Sequence, residues 1–358
     1  MNMPSVNIKV LLVDDSPVAL AVFKKMLAAS PEIDVVATAM NGRQALKQIP
    51  EYQPDVICSD LNMPVMDGYA FTKAAMAEHP RPILVLSTEV RTENAGNVFR
   101  AIDAGAVDVL PKPKGGLMGM TANYDCMTNE LVEKIKALAK GDVLPQFRKL
   151  KTSARYPKAT APAPGFSKMN SQMVAIGASI GGPEAIRNLL SRLPADFPAA
   201  ILCVLNIRDS FLDQLISWLS PKCALSVKIA DNGEMPRQGV IYFPPSDKKL
   251  TFDANGRFSF EKPMTTTERR ASITGAFNAA AERFGRQSVG VLLSCTGDDG
   301  VEGLKSVNNA GGYTIVKDKF SGMSAGTYDN ALALEAAEYV LPSDQIASVL
   351  TDIVSVNK

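Results

Sequence analysis

The chain has 358 residues, 46% of them hydrophobic and 21% charged, with a formal net charge of +1. That length exceeds one ordinary core and predicts two globular domains. The near-neutral charge argues against binding to nucleic acid, and no uncharged apolar run is long enough to insert into a bilayer. The first six residues lack the basic-then-apolar order of a signal peptide. Apolar runs suited to strands then alternate with helix-period segments, the pattern of parallel sheets. In the first half, strands are predicted at 9–13, 34–39, 56–59, 83–87 and 108–110. Helices are predicted at 18–29 and 42–49, with a closing helix at 129–139. This order fits a five-stranded, doubly wound domain.

From 141 to 168 the chain turns to repeated prolines, small residues and the cations Arg148, Lys149, Lys151, Arg155 and Lys158, the composition of a solvated linker. The alternation then restarts, with strands predicted at 173–178, 199–205, 239–243, 289–294 and 313–316. Helices are predicted at 183–193, 210–219, 273–284 and 301–309. A hairpin pairs 249–253 with 257–261 around Asn255-Gly256. The expected organisation is a first domain over 1–125, the closing helix and linker over 126–170, and a second doubly wound α/β domain over 171–358. Five scattered cysteines show no metal-binding spacing, and Cys58, Cys203 and Cys295 sit in apolar runs as small hydrophobes. These features predict a cytoplasmic protein.

Carboxylates gather at the predicted strand ends of the first domain. Asp14-Asp15 end its first strand and Asp60 its third, and in a doubly wound sheet those ends converge on one crevice. Three carboxylates there repel one another unless a hard cation joins them, and Mg2+ suits such oxygen ligands. The fourth strand ends Leu86-Ser87-Thr88, offering a hydroxyl. The fifth leads to Lys112-Pro113, offering an ammonium and a peptide bond able to be cis. Either aspartate alone reads better as a helix cap; the whole set reads as a site that accepts a phosphoryl group on Asp60. With the run Asp60-Leu61-Asn62-Met63-Pro64-Val65-Met66-Asp67-Gly68, this set resembles the receiver domain of two-component response regulators. The resemblance implies phosphorylation of Asp60 by a sensor histidine kinase. It implies Mg2+ held by Asp14, Asp15, Asp60 and the Asn62 carbonyl, and phosphoryl contacts from Ser87 and Lys112. Val109 stands where many receivers carry a switch aromatic.

In the second half, Gly177-Ala178-Ser179-Ile180-Gly181-Gly182 joins a buried strand to a helix. Such a turn can expose a nucleophilic serine, cradle an anion on backbone N–H groups, or merely cap the helix. The acidic turn Gly297-Asp298-Asp299-Gly300 follows a later strand. The single histidine of the chain, His79, precedes Pro80 in the first domain and reads as an exposed loop residue. The runs 175–186, 239–248 and 290–300 resemble the catalytic domain of chemotaxis protein-glutamate methylesterases, and the order receiver, linker, effector matches that family. By this resemblance Ser179 is the nucleophile and Asp299 the triad aspartate. Asn206 stands in place of the triad histidine, with Ile180 and Thr296 replacing a threonine and a methionine beside the site.

An amide side chain can hold a hydrogen bond to a serine but cannot take and return its proton. Loss of one triad member leaves roughly 10³–10⁴-fold acceleration over water in serine proteases. Lys248 and Lys305 are substitutes in principle, but nothing in the sequence puts either beside Ser179. The expectation is a phosphorylation-controlled response regulator whose effector domain acts by binding chemoreceptors or other protein partners, as a pseudoenzyme. The alternative is an active receptor methylesterase and glutamine deamidase with a non-standard base. In the resembled family the unphosphorylated receiver blocks the effector, and phosphorylation relieves that block.

Overall fold

The computed structural model describes residues 7–87, 98–113, 123–139, 172–262, 272–295, 299–318 and 325–354. The chain forms two compact units, 1–144 and 145–358. The linker expected at 141–168 lies outside the described residues, as do Thr88, Thr296, Gly297 and Asp298.

The first unit runs β1 (Ile8–Val13), α1 (Pro17–Leu27), β2 (Ile33–Ala39), α2 (Gly42–Tyr52), β3 (Val56–Asp60), α3 (Gly68–Glu78), β4 (Ile83–Ser87), α4 (Arg100–Asp103), β5 (Asp108–Pro111) and α5 (Asn123–Ala139). Its strands pair in parallel in the order β2-β1-β3-β4-β5. Strand β3 is buried along its whole length, which explains its continuous apolar reading. Helix α1 turns Leu20, Phe23, Met26 and Leu27 inward at helical spacing. Its cap is Ser16, whose Oγ accepts the Ala19 N–H at 3.3 Å. Asp14 and Asp15 are therefore not the caps of this helix. A Cβ on Gly68 would lie 2.1 Å from the Asp60 carbonyl oxygen, so only glycine lets α3 start against the end of β3.

Two expectations here are corrected. Helix α5 begins at Asn123 rather than near 129, because buried Met127 extends the helical three- and four-residue apolar spacing of Leu131, Ile135 and Leu138 toward the N-terminus. His79 is not an exposed loop residue: it caps the C-terminus of α3, donating its backbone N–H to Ala75, and is half-buried. The peptide before Pro113 is trans, since no described peptide bond is cis.

The second unit runs β6 (Met173–Ala178), α6 (Gly182–Leu190), β7 (Ala200–Leu205), α7 (Leu212–Leu219), β8 (Ser226–Ile229), β9 (Val240–Phe243), β10 (Lys249–Phe252), β11 (Phe258–Glu261) and α8 (Ile273–Phe284). It continues with β12 (Ser288–Leu292), α9 (Val301–Asn309), β13 (Tyr313–Lys317), α10 (Ala325–Ala333), β14 (Tyr339–Leu341) and α11 (Ser343–Val354). Seven parallel strands pair in the order β14-β13-β12-β6-β7-β9-β8, and β10 and β11 form the expected antiparallel hairpin. Gly256 turns that hairpin with φ +82°.

Strand alternation divides the side chains between two faces of this sheet. Met173, Ala175, Leu202, Val204, Leu292 and Val316 pack with α8 and α9 residues such as Phe277 and Leu304. The intervening residues look the other way, where a Cβ on Gly182 of α6 would meet Leu205 and Ala178. Between β12 and β7, β6 ends at the point where the chain leaves to opposite sides of the sheet, the usual place for a ligand crevice.

Candidate functional site

In the first unit the expected acids meet. Asp14, Asp15 and Asp60 each bring a carboxylate oxygen within 4.8 Å of the others. Asp14 and Asp60 are buried, whereas Asp15 is exposed. The Lys112 ammonium reaches across from the end of β5, 2.7 Å from Asp14 Oδ2 and 2.8 Å from Asp60 Oδ2. The second oxygens accept backbone N–H groups: Ser16 donates to Asp14 Oδ1 at 2.9 Å and Leu61 to Asp60 Oδ1 at 2.8 Å. Lys112 N–H donates to the Ser87 carbonyl, which ties β5 to β4 at the crevice.

Burial pushes the Asp60 carboxyl above the usual carboxylate range; Lys112 opposes this, and the charge of Asp14 adds to it. The pocket thus concentrates more negative charge than one ammonium neutralises. An all-oxygen, three-carboxylate donor set suits a hard divalent cation such as Mg2+. Asn62 is exposed in the loop after β3, and Ser87 is buried at the end of β4.

In the second unit Ser179 is buried directly after β6, and its N–H donates to Ser294 Oγ at 3.0 Å. It is not the cap of the following helix. The cap position of α6 is Gly181 in the left-handed region, φ +69°, with no side-chain hydrogen bond to the helix. Asn206 follows β7, and its N–H donates to the Ala178 carbonyl at 3.2 Å, which sets it beside the Ser179 turn. Asp299 serves the neighbouring helix. Its Oδ2 accepts the Ile273 N–H at 3.1 Å and its Oδ1 the Thr274 N–H at 3.0 Å, while Gly300 N–H donates back to Thr274 Oγ1 at 2.7 Å. With Ser272 Oγ accepting the Gly275 N–H, these bonds satisfy the first amides of α8.

Of the two lysines considered as substitutes, Lys305 donates to the Glu335 carbonyl, and Lys248 follows β9 in the loop beside Asp247. Sequence reading missed three groups at this end of the sheet. Asp209 Oδ1 accepts the Ser246 N–H, and Asp247 is held above the usual carboxylate range by burial and by its hydrogen bond with Asp209. Both follow strand ends, the one signal that singled out Asp14 and Asp60. The third is Lys317, the last residue of β13, which is 2% exposed.

The CheB methylesterase family matches residues 174–350, and the response regulator receiver domain family matches residues 10–118. The chain is 35% identical over 348 residues to protein-glutamate methylesterase/protein-glutamine glutaminase 4 of Geobacter metallireducens, covering 97% of this chain and 99% of that protein. It is 37% identical over 347 residues to the protein of that name numbered 2 from Anaeromyxobacter dehalogenans, covering 97% of each. Among solved structures, the catalytic domain of Thermotoga maritima CheB methylesterase is 31% identical, with a TM-score of 0.49, and covers 52% of this chain and 100% of its own. The chain belongs to the protein-glutamate methylesterase/protein-glutamine glutaminase family, chemotaxis-type response regulators that join a receiver domain to a methylesterase domain.

Proposed function

We propose that this protein is a phosphorylation-controlled, cytoplasmic response regulator whose methylesterase-type domain binds chemoreceptor side chains with little or no turnover. The observation that carries this reading is Asn206: its backbone is bonded to Ala178 next to the Ser179 turn, and its side chain is an amide, which has no useful basicity. Asp299 supports it, because both of its oxygens accept backbone N–H groups of α8.

The receiver provides the control. A carboxylate oxygen of Asp60 attacks the phosphorus of a kinase phosphohistidine, the P–N bond breaks, and the departing imidazole takes up a proton. Asp14, Asp15, Asp60 and the Asn62 carbonyl hold Mg2+, which when bound supplies positive charge against the phosphoryl oxygens. Lys112 stays paired with Asp14 and offers the phosphoryl group an ammonium, and Ser87 offers a hydroxyl. Phosphorylation at Asp60 changes the affinity of the effector domain for its receptor partner.

A second reading, an active methylesterase and glutaminase with a non-standard base, is favoured by similarity over 97% of the chain to proteins of that name. Methanol release from methylated receptors separates the two, measured for the unmodified protein, Ser179→Ala and Asn206→His. Turnover only in Asn206→His is expected; serine-dependent release by the unmodified protein supports the second reading and overturns the first.

A further inference from the structure

The second unit has another concave site, at the end of its sheet opposite Ser179. Ser179 and Asn206 follow the last residues of β6 and β7. A cavity of about 280 Å3 lies instead at the amino edge, where Gln172 precedes β6, Ala200 opens β7 and Gln238 stands just before β9. The register puts these positions side by side, since Met173 pairs with Ala200 and Ile201 with Ile241. The tip of the β10–β11 hairpin and the last turn of α8 close the cavity through Gly256, Arg283 and Phe284. Met235 and Pro236, in the loop that leads to β9, complete it.

Arg283 supplies the charge. Its guanidinium lies against the hairpin tip: a Cβ on Gly256 would stand 2.8 Å from Nη2 and 2.9 Å from Nε. The glycine that the turn needs for its φ of +82° therefore also makes room for the cation. On its other side the guanidinium carbon is 5.6 Å from the centre of the Phe284 ring. Among the described residues Arg283 makes no ion pair or side-chain hydrogen bond, so its fork of N–H donors is available to a ligand. A cation in the last turn of a helix also complements the helix dipole, which accounts for the charge but not for the cavity around it.

The rest of the lining narrows the ligand. The last carbonyls of α8 place partial negative charge beside Arg283, which favours one negative charge on the ligand over two. Gln172 and Gln238 offer uncharged donors and acceptors. Met235 is 40% exposed, and with Pro236 and the Phe284 ring it presents apolar surface that a bare ion would leave wet. The volume falls just under the roughly 300–1,000 Å3 usual for drug-sized ligands, so the ligand is small. We propose that this cavity binds a small organic monocarboxylate, with the carboxylate on Arg283 and the apolar body against Met235 and Phe284. The site is separate from the serine turn and does not rest on the binding-only reading above.

The probe is phenylacetate, titrated by ligand-detected NMR against the full chain. Phenylacetamide keeps the ring and removes the charge, acetate keeps the charge and removes the ring, and inorganic phosphate brings a second charge. Phenylacetate is expected to bind roughly fivefold tighter than each of the other three. Arg283→Met should erase its advantage over phenylacetamide, and Arg283→Lys, which keeps the charge but not the fork, should restore part of it. Met235→Ser should reduce its advantage over acetate. Positions 235 and 283 are exposed, so the melting temperature of each variant is expected to match that of the unmodified protein. Absence of saturable phenylacetate binding, equal affinity for the four probes, or tighter binding of phosphate overturns the proposal. So does an advantage over phenylacetamide that survives in Arg283→Met.

Discussion

The two strand-end sites of this chain differ in how their charges are matched. In the receiver, three carboxylates and one lysine meet in a single pocket, and Lys112 touches two of the acids at 2.7 and 2.8 Å. In the methylesterase domain Ser179 follows β6, Asn206 follows β7, and both carboxylate oxygens of Asp299 accept backbone N–H groups of α8. A site for phosphoryl transfer needs charge placed correctly; a site for acyl transfer also needs a base of suitable pKa. On the function proposed above, the amide of Asn206 supplies no such base.

The largest effect that can sharpen this contrast is at Asp60. Asp60→Asn is expected to abolish phosphoryl incorporation from a kinase or a small phosphodonor, read on phosphate-affinity gels. The same change should raise receiver stability in the absence of Mg2+ at neutral pH, followed by urea titration. The sign follows from the carboxyl being held above its usual range. The folded receiver then favours the protonated form, so its stability is greatest below the unfolded pKa and falls as pH rises through the folded value. The gain from Asp60→Asn must accordingly shrink on acidification. A variant no more stable than the unmodified protein at neutral pH would contradict the pocket electrostatics.

A smaller effect is expected at Asp299. If this residue serves α8 rather than catalysis, Asp299→Ala should destabilise the second unit by about 1–2 kcal/mol through loss of two backbone N–H partners. The receptor affinity of the effector domain should be unchanged. Unaltered stability would return Asp299 to the catalytic account.

Most of this architecture was legible in the sequence because strands buried on both faces read as continuous apolar runs. Strands β1, β3, β4, β6 and β7 are of this kind, and they carry Asp14, Asp60, Ser87, Ser179 and Asn206 at or just beyond their ends. Strands β8 and β14 escaped notice, since both lie at sheet edges, are short, and are partly exposed. The receiver acids could be read because several residue types had to coincide at neighbouring strand ends. Asp209 and Asp247 could not, because each sits alone in a loop whose partner is known only once β7 and β9 pair. Lys317 was hidden for another reason. A lysine followed by Asp318 at the end of an apolar run looks like the return of the chain to solvent, and only the sheet register shows it buried.

The central claim is that Asn206 cannot serve Ser179 as a general base. The most direct test is covalent capture of that serine by an organophosphonate probe, followed by intact-mass measurement of the full chain. The account predicts no adduct on the unmodified protein and a single adduct on Asn206→His that disappears when Ser179→Ala is added. A Ser179 adduct on the unmodified protein, formed as fast as on Asn206→His, would contradict it.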